Sequence, residues 1–235
     1  MCYAHSMRID FHSHFPSTDS IVCTAKPENA VQNGNPGARA LMSFQGLLPE
    51  KWSEEKQAEL FRILAADENI HLGEVGLDKR HTDKITMQQQ ADILRAQLSF
   101  AIEHNRNISL HCVRATGLML GILDDLNKNG SKNGPKFRPF SIIWHGFTGS
   151  AETAARLARK SVIISIGPRF KGIIADIYRA NPYTVPETDY EGTDAQEHSR
   201  MLAEQYRRFQ EELNLSPEEL DRHCTDIFQK LSTVH

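Results

Sequence analysis

Short apolar runs rich in β-branched residues recur along the chain, separated by stretches of helical periodicity or by polar loops. Eight stand out: 8–14 (RIDFHSH), 20–25 (SIVCTA), 40–46 (ALMSFQG), 71–78 (HLGEVGLD), 108–112 (ISLHC), 141–147 (SIIWHGF), 162–168 (VIISIGP) and 184–189 (TVPETD). Strand-like runs alternating with helical segments are the pattern of parallel strands joined by crossover helices. Eight of them predict an α/β fold, a (β/α)8 barrel of the triosephosphate-isomerase type. Helical periodicity is clearest over 87–105, where Leu94, Leu98, Ala101 and Ile102 form an apolar stripe beside a polar face. Residues 53–67, 117–127 and 150–160 read the same way, the last with Ser150 as N-cap. The stretch 197–231 reads as two helices split near 215–218, where Ser216 can cap and Pro217 suits a first helical turn.

The early crossovers fit the barrel least well. Only five residues separate His14 from Ser20, and 26–39 is rich in Pro, Gly and Asn, so shortened crossovers made of loops or a stunted helix are expected there. No internal repeat, low-complexity tract or linker divides the chain, which is read as a single domain over 1–235.

Composition narrows the function classes. With 235 residues, 40% of them hydrophobic and 24% charged, the chain can bury one sizeable core. Its 27 Lys plus Arg against 30 Asp plus Glu, a formal charge of -3, lack the basic excess that favours wholesale nucleic-acid attachment, although a local basic groove stays open. The four cysteines, Cys2, Cys23, Cys112 and Cys224, form no CxxC pair and no disulfide framework, so a reducing cytoplasm is the expected compartment. The first residues carry no apolar signal region and no run is long enough to span a bilayer, so no membrane association is expected. No obligate protein partner is evident.

The chemistry lies in where the metal-capable residues fall. His12 and His14 are two apart on the first strand, which places both side chains on one face. Glu74 follows in GEVGLD, His111 in SLHC, His145 in WHGF and Asp189 in ETDY, towards the C-terminal ends of the fourth, fifth, sixth and eighth strands, the face on which barrel enzymes carry their active sites. Each alone has a plain structural reading: a packed histidine beside Trp144, a helix-capping Asp189, a barrel salt bridge at Glu74. The set does not, because burying several imidazoles and carboxylates in one barrel mouth is costly unless they pair or hold a cation. Imidazole and carboxylate ligands suit zinc, manganese or related divalent ions, and six are enough for one or two of them.

Together, DFHSH, GEVGLD, SLHCVRA, WHGFTGS, VIISIGP and PETD resemble, in that order and from Ile9 to about Asp189, the TatD family of metal-dependent hydrolases among the amidohydrolase-like barrels. Ser216-Pro217-Glu218-Glu219 and Asp226-Ile227-Phe228 resemble the closing helices of that family. The resemblance implies a barrel, one or two divalent ions (zinc, manganese or magnesium), and phosphodiester hydrolysis such as deoxyribonuclease activity. It also implies that His12, His14 and Asp189 hold one metal, that His111 and His145 hold the other, and that Glu74 bridges. Two departures stand out: Gly46-Leu47-Leu48-Pro49 replaces the family's Gly-Ile-His-Pro, putting Leu48 where a histidine is usual, and Phe15-Pro16 replaces Leu-Asp.

In this reading Asp189 is the catalytic proton acceptor and Glu74 the second catalytic carboxylate, acting on a metal-activated water. Arg114, Arg169 and Lys171 are candidates for binding a substrate anion, with solvated surface cations as the alternative. Phe15 and Phe147 are read as packing residues more than as base-stacking ones. Three functions remain open: a nuclease or phosphodiesterase acting on DNA or a small phosphodiester, an amidohydrolase, lactonase or esterase using the same metals, and a non-catalytic barrel that serves as a binding protein.

Overall fold

Strand residues such as Ile163, Ile164 and Ile166 are buried on both sides, as required where helices cover a parallel sheet. The computed structural model describes residues 8–15, 20–24, 40–42, 52–68, 70–129 and 137–232. Eight strands run β1 (Asp10–Ser13), β2 (Ser20–Thr24), β3 (Ala40–Met42), β4 (His71–Asp78), β5 (Ile108–Val113), β6 (Ile142–Trp144), β7 (Ile163–Ile166) and β8 (Thr184–Pro186). They form one sheet in sequence order, each parallel to the next. The backbone N–H of Asp189 donates to the His12 carbonyl and that of His14 to the Tyr190 carbonyl, both at 2.9 Å, bringing the chain after β8 against β1 and closing the barrel. The expected α/β barrel is the observed fold.

The helices are α1 (Glu54–Ala66), α2 (Met87–Glu103), α3 (Thr116–Asn129), α4 (Ala151–Ala158), α5 (Ile174–Ala180), α6 (Ala195–Leu213) and α7 (Pro217–Ser232). Their starts follow local chemistry: Ser53 and Ser150 cap α1 and α4, Thr86 and Gln89 form a reciprocal capping box on α2, and Asp194 accepts two N–H groups at the head of α6. Asn214 ends α6 in the left-handed conformation at φ 52, and Ser216 and Glu219 then cap α7 reciprocally. The predicted break at 215–218 is this turn. No described helix is long and apolar enough to cross a membrane.

Three differences from the sequence reading matter. Helix α5 was not anticipated: Ile173 provides no side-chain cap, and the Ile174 N–H instead donates to the Glu212 carboxylate on α6 at 2.5 Å. The strands carrying His14, His145 and Asp189 end before those residues; past β6 and β8, Gly146 (φ 57) and Asp189 (φ 51) adopt the left-handed conformation, which extended backbone excludes. Glu74 sits in the middle of β4, and Asp78 occupies its C-terminal end. The predicted early crossovers and Leu48 lie outside the described residues.

At the β1–β8 seam lies a fully buried carboxylate, Asp10. Its Oδ1 accepts the N–H groups of Thr188 (2.9 Å) and His12 (3.2 Å), and its Oδ2 accepts the Thr188 hydroxyl (2.5 Å) and faces His198 Nε2 on α6 (2.9 Å). Beside it, the buried Tyr206 hydroxyl takes the Ile9 N–H at 2.7 Å and donates to the Ile9 carbonyl at 3.1 Å. Asp10→Ala would strand several buried donors at once, an effect worth roughly 3–5 kcal/mol. Urea denaturation should show that loss, with Asp10→Asn milder; a change below about 1 kcal/mol would mean that the seam does not depend on this carboxylate.

Candidate functional site

The second glycine of GEVGLD brings two of the site's strands together. A Cβ at Gly76 would collide with the His111 carbonyl, so only glycine lets β4 approach β5 this closely. The register pairs Gly76 with His111, and it shifts between Leu72 and Val75, across the segment that carries Glu74. His145, one residue past β6, is held by its N–H donating to the Leu110 carbonyl of β5 at 3.0 Å.

All six predicted residues meet in the barrel mouth, and they form two groups. In the first, His14 Nδ1 donates to the Cys23 carbonyl at 3.2 Å, which turns Nε2 towards Asp189 Oδ1 (3.5 Å) and Glu74 Oε2 (3.7 Å). His12 Nδ1 lies 3.0 Å from the Ser109 hydroxyl, and its Nε2 is 3.7 Å from Asp189 Oδ1 and 4.0 Å from Glu74 Oε2. In the second, Glu74 Oε1 is in contact with His111 Nδ1 and lies 2.8 Å from His145 Nε2, and those two nitrogens are 3.2 Å apart. The His12 and His145 rings stack between the groups with centroids 3.8 Å apart. Potential ligand atoms of His12, His14 and Asp189, and likewise of Glu74, His111 and His145, lie within 4.8 Å of one another.

The electrostatics suit a cation. Burial, reinforced by the neighbouring His145, holds His12 well below its usual pKa, so it is a neutral ring with a lone pair to offer. Burial works against the Glu74 charge, but His145 and His111 outweigh it and hold the carboxyl well below its usual value. At His111 burial is likewise overcome, by hydrogen bonds to Asp78 and Glu74 that lift its pKa to about 9. The donor set fits a divalent ion on one further ground: His12 Nε2 is buried with no hydrogen-bond partner among the described residues, and buried polar atoms rarely stay unsatisfied.

The cationic candidates fare unequally. Arg169 pairs with Asp189 Oδ2 and lines a cleft of about 220 Å³ beside it, formed by residues 146–148, 167–170 and 187–189 with Met201. Lys171 lines the adjoining cleft instead, with its Nζ 3.5 Å from the Pro168 carbonyl. Arg114 is exposed just past β5 and lines neither cleft. Phe147 is buried edge-on to Trp144, and Phe15 packs on Tyr190 and His198, so both are packing residues.

Several site residues escaped the sequence reading. Asp10 and Glu187 each stand two positions before a named candidate, a parity that could have flagged them. Glu187 is buried, accepts the Gly146 N–H (2.8 Å) and the Ser165 hydroxyl (2.5 Å), and has its pKa raised by burial. Cys23 gave no motif, yet its thiol comes within 4.8 Å of ligand atoms of His12 and Glu74. Asp78 closes GEVGLD and faces His111 Nε2 at 3.3 Å.

Comparison with known proteins agrees with this architecture. The YjjV TatD homologue of Escherichia coli K12 superposes with a TM-score of 0.77 at 21% identity, over 96% of this chain and 98% of that one. A TatD family hydrolase of Entamoeba histolytica superposes with a TM-score of 0.67 at 14% identity, over 90% and 83%. In sequence, YabD of Bacillus subtilis (strain 168), described as an uncharacterized metal-dependent hydrolase, is 30% identical over 115 residues, which is 49% of this chain and 41% of that relative's length. The family model for TatD-related DNases matches residues 10–233, nearly the whole chain, and the protein therefore belongs to the TatD-related DNase family.

Proposed function

We propose that this chain is a divalent-cation-dependent hydrolase that cleaves phosphodiesters, with DNA or a short oligonucleotide as substrate. The observation that carries the reading is the convergence of four imidazoles and two carboxylates, in two ligand-sized groups, at the C-terminal mouth of the barrel. His12, His14 and Asp189 would hold one cation, His111 and His145 a second, and Glu74 would reach both through its two oxygens. A divalent ion bound there supplies an acidified water and polarises the ester oxygen under attack.

In this reading Asp189 takes the proton of the attacking water, a role supported by its Oδ1 facing the two histidines of the first group. Arg169 holds Oδ2 of the same carboxylate and lines the cleft beside it, so its guanidinium can meet a phosphate oxygen arriving at Asp189. A cleft of about 220 Å³ is sized for one end of a substrate, with the remainder of a strand lying outside it. The family description, TatD-related DNase, favours a nucleic-acid substrate over an amide or lactone.

Cation-loaded protein should cleave single-stranded DNA and a chromogenic phosphodiester, while the His12→Ala variant, prepared identically, should not. If both substrates stay intact and an amide or lactone is hydrolysed, the phosphodiesterase reading fails and the amidohydrolase-type reading replaces it. Cleavage of nothing in either class would count against both of these hydrolase readings and favour the binding-protein one.

Asp189→Asn keeps an oxygen ligand but loses the base. Turnover should fall by about 10²- to 10⁴-fold while much of the bound cation remains, as read by steady-state kinetics beside elemental analysis. Near-normal turnover would remove Asp189 from the role of proton acceptor.

Uptake of a cation by His111 must displace a proton held with a pKa of about 9, whereas His12, already neutral, offers no such competition. Apparent affinity should therefore climb as pH rises from 6.5 towards about 9 and level off above it, measured by competition with a chromophoric chelator. A flat profile across that window would show that His111 does not take part in binding.

A further inference from the structure

Asp78 is buried at the end of β4, and its carboxylate is held on every side. Arg80 engages it with three groups: the backbone N–H donates to Oδ1 at 2.8 Å, Nε–H lies 3.0 Å from both oxygens, and Nη2–H reaches Oδ2 at 2.5 Å. His81 Nε2 stands 3.6 Å from Oδ2. The backbone is pinned as well, since the buried side chain of Gln90 on α2 accepts the Asp78 N–H at 2.7 Å and donates to its carbonyl at 3.0 Å. Against this fixed carboxylate rests His111, with Nε2 3.3 Å from Oδ2, while Nδ1 on the opposite edge of the ring faces Glu74 and His145.

A ring with two nitrogens can present either one inward, and a ligating imidazole is normally oriented by the group that its other N–H meets. A carboxylate offers only acceptors, so it fixes the hydrogen of His111 on Nε2 and leaves the Nδ1 lone pair for the centre. Arg80 then matters indirectly: it neutralises the buried charge and prevents Asp78 from rotating towards the cation itself. Neither residue belongs to the six that the sequence picks out.

We propose that Asp78 is a positioning residue for the Glu74–His111–His145 cation site, fixing the orientation and tautomer of His111 through its outer nitrogen, with Arg80 and Gln90 holding Asp78 in place. The inference rests on the reading of this centre as a cation site. Asp78 touches no ligand atom of the centre and acts only through His111.

The test uses the full chain, stripped with chelator and titrated with cobalt(II), whose visible bands report ligand geometry, alongside chelator competition for affinity. Wild type should show ligand-field bands that Asp78→Ala alters, together with an affinity loss of about 10- to 100-fold for one class of site. Asp78→Asn can still accept from Nε2–H through its amide oxygen but lacks the charge, so it should fall between the two. Arg80→Gln, which does not touch His111, should produce a smaller loss in the same direction. Circular dichroism and the cobalt-free Tm separate this from misfolding, and should Asp78→Ala fail to fold, Asp78→Asn and Arg80→Gln decide. Failure of the wild type to bind cobalt would overturn the cation-site reading itself. Wild-type binding with unchanged bands and affinity in the folded variants would overturn the role of Asp78 alone.

Discussion

The structure depends first on how its ends meet. A barrel exists only if its first strand pairs with its last, and here the carboxylate of Asp10 ties β1 to the segment after β8 and to α6 through Thr188 and His198. Because Asp10 stands two residues before His12 and Thr188 one before Asp189, the contacts that close the seam also set the spacing between the two halves of the first ligand group. Closure and site geometry are one constraint. The Tyr206 clasp on Ile9, spanning 197 residues, adds a second fastening from α6.

The site itself opposes folding. Four imidazoles and two carboxylates share a small, mostly buried space, with His12 stacked on His145 and His145 in turn 2.8 Å from Glu74. Such an arrangement persists only because strong packing around it, from Ile143 and Trp144 to Leu72 and Leu110, holds the strands in register. The charges are partly resolved within the protein: His12 is neutral, Glu74 is ionised, and His111 stands between two carboxylates. A divalent ion would satisfy what remains, which links the burial of these groups to the cation chemistry proposed for them.

A gradation in rigidity surrounds the centre. Glu187 ties β7 to the HGFTGS loop through Ser165 and Gly146, and Asp78 is clamped between Arg80 and Gln90, so the groups behind the ligands are fixed. On the outer side, Arg169 is largely solvent-exposed and meets the site only through Asp189. A buried, hydrogen-bonded interior with an exposed guanidinium at its rim is an arrangement in which substrate charge can be met without disturbing the ligands.

Much of this was legible in the chain. The alternation of buried runs and amphipathic stretches determined the barrel and most of its helices, because period and capping are local: Ser53, Thr86, Ser150 and Ser216 act on N–H groups three residues away. The spacing of His12 and His14, and the histidines and carboxylates of the later strand segments, marked out the residues that the fold gathers. What the sequence could not show was which partner completes each group. The Ile174 helix start is capped by Glu212 from another helix, the orientation of His111 is set by Asp78 against Arg80, and the reach of Cys23 towards His12 and Glu74 arises from strand pairing. Strand ends were misjudged where Gly146 and Asp189 turn left-handed, since conformation at those positions answers to the loops of the mouth. Short-range chemistry is written in neighbouring residues, whereas the orientation of a buried ring depends on atoms brought beside it from distant segments, and only the tertiary structure places them.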